Sequence, residues 1–164
     1  MTQRFASRLD AMSVTPDLYR GKVAQKPDEA GHLMKGLDFP RAVEDIRCAY
    51  EYLASRGAKK VVVVGFCMGG ALSLASAEMI SELAGVSCFY GIPSSEYYHP
   101  ERIQCPIQCH FAKKDHAKGF SDEEAALALK AKLANAGKDV SEFYIYPDAD
   151  HGDLLHSLIS SLHE

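Results

Sequence analysis

Val61-Val62-Val63-Val64-Gly65-Phe66-Cys67-Met68-Gly69-Gly70-Ala71 is the stretch on which the fold turns. Four β-branched residues in a row match a parallel strand covered on both faces. They run directly into glycine, cysteine and more glycine, which reads as strand, sharp turn, then helix. That is a nucleophile elbow with cysteine in the serine place. So tight a turn strains the backbone of its tip residue and asks for small residues two before and two after it, which Gly65 and Gly69 supply. Gly70 and Ala71 allow the helix to pack close against the strand. The helix N-terminus turns free N–H groups and the positive dipole end to the sulfur, so the elbow is expected to favour thiolate. The plainer alternative is a buried, inert cysteine. Two other glycine-loop readings fail on residues. No Lys-Ser or Lys-Thr follows the glycines, as a phosphate-cradling loop needs, and the spacing is not G-x-G-x-x-G.

At 164 residues with 47% hydrophobic content, the chain can bury one core, and residues 1–164 are expected to form a single α/β domain. A net charge of -4 without a Lys/Arg cluster gives no footprint for nucleic acid. A small uncharged or anionic substrate fits better. The first residues hold Arg4 and Arg8 but no apolar run of signal-peptide length, and no stretch approaches the ~20 apolar residues of a membrane helix. The expected location is therefore cytoplasmic. Five cysteines without a secretory signal favour free thiols over a disulfide framework. Cys105, Cys109 and His110 are set aside as a metal site, since no second ligand pair stands at zinc spacing.

Strand and helix signals alternate along the chain. Met12–Thr15 reads as a short strand ended by Pro16, and residues 20–39 as loop with a turn of helix. Val43, Ile46, Tyr50 and Leu53 fall on one stripe of a helix over 40–56, stopped by Gly57. After the valine strand come a helix over 68–83 and strands over 86–90 and 107–111. A helix opened by a capping box of Ser121 and Glu124 and closed by Gly137 follows. A strand over 140–146 ends at Pro147, and a short helix is expected over 152–164. The pattern implies a mostly parallel sheet with helices on both faces and a ligand site at the carboxyl ends of its strands.

Cys67, Asp115 and His151 each lie just past one of those strand ends. Nucleophile, acid, histidine is the chain order of an α/β-hydrolase triad. His151 would take the cysteine proton and later protonate the leaving group, and Asp115 would fix the imidazole tautomer. The Met68 N–H would be an oxyanion donor. His116 and His156 are rival histidines, and Asp115 in a loop with Lys113, Lys114 and His116 has a solvated-charge alternative. His151 is preferred because it follows the last strand by a short loop.

Taken together, Pro16-Asp17-Leu18-Tyr19, Gly65-Phe66-Cys67-Met68-Gly69-Gly70, Tyr90-Gly91, Lys114-Asp115-His116 and Asp150-His151-Gly152 resemble the dienelactone hydrolases, or carboxymethylenebutenolidases, over residues 4–152. The resemblance implies hydrolysis of an ester or enol-lactone such as dienelactone to maleylacetate. The Cys67 thiolate attacks the carbonyl, an enolate leaves, and water attacks the acyl-enzyme with His151 as base. It implies no metal or organic cofactor. It also implies a tyrosine and an arginine at the substrate carboxylate, carried here by Tyr19 and, approximately, Arg20. A second such arginine has no counterpart among Asp153, Leu154, Leu155 and His156.

In the family, several strands, a glutamate that helps deprotonate the cysteine, and the loop bearing the second oxyanion N–H precede the Pro-Asp-Leu-Tyr segment. This chain is expected to lack them. The valine strand would then have either a shifted Met12–Thr15 strand beside it or an exposed edge through which the chain self-associates. Two further readings stand beside the hydrolase: a truncated, non-catalytic fragment acting as a partner-binding or vestigial module, and a thiol redox protein. No second cysteine stands in C-x-x-C relation to Cys67, although Cys88 on the neighbouring strand could approach it.

Overall fold

A computed structural model describes residues 2–153, 155, 156 and 160. It divides into two compact units, Met1–Lys59 and Lys60–Glu164.

In the first unit, α1 spans Thr2–Leu9, α2 Pro27–Lys35 and α3 Phe39–Ser55. The strand expected at Met12–Thr15 does not form, and residues 11–17 carry no regular structure. An alternating apolar run becomes a strand only beside a partner, and the described residues of this unit contain no strand to pair with. Met12 and Val14 are left exposed. The segment read over 20–39 as loop with a turn of helix contains the nine residues of α2. Pro27 stands in the first turn, where its fixed φ and missing N–H suit a helix start. The stripe helix is α3, as read. Asp38 caps it by accepting from the Arg41 N–H at 3.1 Å, and Gly57 follows its end at φ 94°.

The second unit holds β1 (Val62–Phe66), α4 (Met68–Met79), β2 (Gly85–Phe89), β3 (Ile107–Ala112), α5 (Glu123–Asn135) and β4 (Phe143–Tyr146). The strands form a parallel sheet in the order β1-β2-β3-β4, with α4 packed on β1 and β2 and α5 against β3 and β4. The α4 helix is apolar on every side, and Gly70 through Ala77 are all buried. It ends at Met79, short of the expected residue 83, because Ile80 turns to extended backbone and Leu83 N–H closes a turn on the Ile80 carbonyl.

Two further readings are corrected. The valine strand is not covered on both faces: Val62 is 61% and Val64 48% exposed, and β1 pairs with β2 alone among the described residues. The last strand occupies only Phe143–Tyr146 of the expected 140–146. Of the terminal helix, residues 153, 155, 156 and 160 are helical, and the rest lies outside the described residues. No helix among the described residues is long and apolar enough to cross a membrane.

Candidate active site

Parallel pairing places the ends of β1, β2, β3 and β4 side by side, so the segments leaving them converge at one edge of the sheet. Cys67 stands between β1 and α4 with φ 54° and ψ -121°, a left-handed conformation costing a non-glycine residue about 1–3 kcal/mol. The surrounding backbone holds it there. Its N–H donates to the Phe89 carbonyl at 3.0 Å, and its carbonyl accepts from Gly70 N–H at 2.8 Å and Ala71 N–H at 3.2 Å.

Three glycines make this approach possible. The Gly69 carbonyl fills the space a Cβ on Gly65 would need, the Phe89 carbonyl fills that of Gly70, and the Cys67 carbonyl that of Gly91. Gly69 itself has open space where its own Cβ would stand. The steric demand therefore falls on Gly65, Gly70 and Gly91; what Gly69 contributes is its backbone position.

The electrostatics differ from the sequence expectation of a resting thiolate. Burial raises the Cys67 thiol above its ordinary value, the Met68 N–H aimed at the sulfur pulls it down, and the Asp115 charge adds to the rise. Burial wins over the single helix N–H, so the site favours the thiol over the thiolate.

Asp115 and His151 are brought together. His151 Nδ1 lies 2.6 Å from Asp115 Oδ2, while Asp115 Oδ1 accepts the Ala117 N–H at 2.9 Å. The Asp115 side chain is 1% exposed and that of His151 37%. Burial pushes the Asp115 carboxyl up, but hydrogen bonds from Ala117, His151 and Ser121, with the His151 charge, together hold it below the ordinary range. An ionised carboxylate at Nδ1 places the ring proton there and leaves the Nε2 lone pair as the base of the neutral imidazole. His116 is exposed, and His156 is an exposed helical residue.

Two residues in contact with His151 were not assigned from sequence. Tyr90, immediately after β2, is 2% exposed at a strained φ of 39°, and its ring meets that of His151 edge-on at 4.8 Å. Burial, and then the Cys67 charge, push its hydroxyl up to about 12. Ser121, read as a helix cap, is fully buried with Oγ 3.3 Å from His151 Nδ1. For Tyr90 the signal was Gly91, a glycine directly after a strand; for Ser121 the sequence held no signal of a second role.

Tyr19 and Arg20 belong to the first unit. They line a cavity of about 320 Å³ with Leu18, His32, Arg41 and Asp45, among others. The Arg20 guanidinium is held by both Asp45 oxygens at 2.9 and 2.7 Å.

The model of the dienelactone hydrolase family matches residues 3–160. A "Putative carboxymethylenebutenolidase" of Aquifex aeolicus (strain VF5) is 33% identical over 141 residues, covering 79% of this chain and 58% of that protein. "Protein usf" of Aquifex pyrophilus is 31% identical over 151 residues, covering 87% and 63%. This chain thus spans about three fifths of the length of these relatives. The solved structure m3DLH superposes with a TM-score of 0.73 at 23% identity, over 92% of this chain and 65% of that one, a likeness of fold.

Proposed function

The chain belongs to the dienelactone hydrolase family, and we propose that it hydrolyses a carboxylic ester or enol-lactone through a Cys67 acyl-enzyme, with His151 as base and acid and Asp115 as its orienting partner. The observation that carries the reading is Cys67 held at φ 54° on the elbow, in the same strand-end cluster as the 2.6 Å His151–Asp115 pair. Because burial keeps the sulfur protonated at rest, thiol deprotonation is coupled to attack. His151 Nε2 takes the proton as sulfur adds to the carbonyl, and the Met68 N–H stabilises the oxyanion. The imidazolium returns its proton to the leaving oxygen, and His151 then activates water against the thioester. Tyr19 and Arg20 are proposed to meet the substrate carboxylate. For Arg20 this requires exchanging the Asp45 carboxylate for that of the ligand.

Steady-state hydrolysis of p-nitrophenyl acetate and of an enol-lactone tests this. Cys67→Ala should abolish turnover, and His151→Asn should lower kcat by at least the 10²–10⁴ that a positioned acid–base group contributes. Undiminished turnover in Cys67→Ala would remove the nucleophile.

We further propose that the protein acts as one domain on a small-molecule substrate in the cytoplasm and that its copies associate through the exposed β1.

A further inference from the structure

Ser121 and Glu124 satisfy the capping-box spacing, yet the serine does not cap. The N-cap of α5 is Asp122, whose side chain makes no capping hydrogen bond. Ser121 is instead fully buried, with Oγ 3.3 Å from His151 Nδ1, and its hydroxyl is among the groups that hold the Asp115 carboxyl below the ordinary range. A buried hydroxyl diverted from the helix end, where it would have satisfied free N–H groups, is instead set against the histidine that pairs with Asp115. Its backbone is fixed as well. The Ala117 carbonyl accepts the N–H groups of Phe120 and Ser121 at 3.1 and 3.0 Å, and the Phe120 carbonyl accepts from Ile92 N–H at 2.9 Å. Ala117 in turn donates to Asp115 Oδ1, so the loop that carries Ser121 is tied to the carboxylate through Ala117.

We propose that Ser121 is a positioning residue for the Asp115–His151 pair. Its O–H donates to the carboxylate, and its oxygen takes a minor share of the His151 Nδ1–H. Two acceptors converging on Nδ1 fix the proton there and prevent the ring from turning about its bond to Asp115, so Nε2 keeps one direction. The proposal rests on the catalytic reading above for its consequence in rate, but not for its geometry.

Two variants are measured in the full chain, Ser121→Ala and Ser121→Cys. Alanine removes the hydrogen bond, whereas cysteine keeps the volume and weakens the bond, so a packing role predicts that cysteine behaves as serine. The first readout is the His151 Nδ1–H proton by NMR, which a short bond to a carboxylate carries far downfield. Both variants should shift or broaden it, with far-ultraviolet circular dichroism unchanged. The second is p-nitrophenyl acetate hydrolysis, where kcat should fall about 10- to 100-fold in Ser121→Ala, the worth of a hydrogen bond to a charged group, at unchanged KM. A proton signal untouched in both variants, or a Ser121→Cys protein identical to the parent in both readouts, would overturn the proposal. Should the parent chain show no turnover, the failure belongs to the catalytic reading, and the proton signal alone decides the role of Ser121.

Discussion

His151 Nδ1 sits 2.6 Å from Asp115 Oδ2, pairing an almost wholly buried carboxylate with a half-exposed imidazole. The buried carboxylate is thereby held in the loop after β3, while the imidazole remains accessible. Asp115→Asn keeps the shape but removes the anion, so kcat should fall by about 10²–10⁴ as the ring loses its tautomer. The same substitution has a stability signature. Because the Asp115 carboxyl is held below its ordinary range, the unfolded chain binds the proton more readily. The contribution is fully present above the unfolded carboxyl value of about 3.9 and is lost as pH falls through the lower folded value. Urea unfolding from neutral to acid pH should show the parent losing more stability than Asp115→Asn.

The elbow's glycines are not equivalent. Gly65→Ala and Gly91→Ala force a Cβ onto the carbonyls of Gly69 and Cys67, and each should cost about 1–3 kcal/mol as the turn opens. Gly69→Ala meets open space within α4 and should be neutral or stabilising by up to about 1 kcal/mol. Denaturation midpoints of the three variants separate the cases; equal losses for all three would contradict the packing described.

Burial places the Cys67 thiol above its ordinary value of 9.0, so its alkylation by iodoacetamide should be slow at neutral pH and rise into the alkaline range. Cys48 is exposed, while Cys88 and Cys109 are buried. Peptide mapping after brief treatment at neutral pH should show Cys48 modified ahead of Cys67. Preferential labelling of Cys67 would mean a resting thiolate.

With Val62 and Val64 exposed and one side of β1 unpaired among the described residues, the strand should support association between copies. Sedimentation velocity over a range of concentrations should show a reversible shift to larger species that Val62→Lys removes. A single monomeric species throughout would count against this edge as an interface.

Much of this arrangement was legible in the sequence because it is written in local terms. The valine run, Gly65 and Gly70 mark the elbow, and short loops after successive strands deliver Asp115 and His151 in order. What was not legible depends on neighbours. Met12–Thr15 has a strand's alternation but no partner strand in its unit. Residues 20–39 read as little more than loop, yet Pro27 opens the nine-residue α2. The valine run looks the same whether its strand is central or at the edge. Ser121 fits a capping box by spacing, while the fold sets its hydroxyl against His151. The state of the Cys67 sulfur depends on whether burial or the Met68 N–H prevails, and only the packed site sets that balance.

The most direct test of Cys67 as nucleophile is rapid-quench peptide mapping during p-nitrophenyl acetate hydrolysis. An acetyl group should appear on Cys67 within the first turnover, decay as deacylation proceeds, and be absent from Cys67→Ala. Turnover with the acetyl group on another residue, or with no adduct on Cys67 at any time while nitrophenol is released in a burst, would contradict the acyl-enzyme.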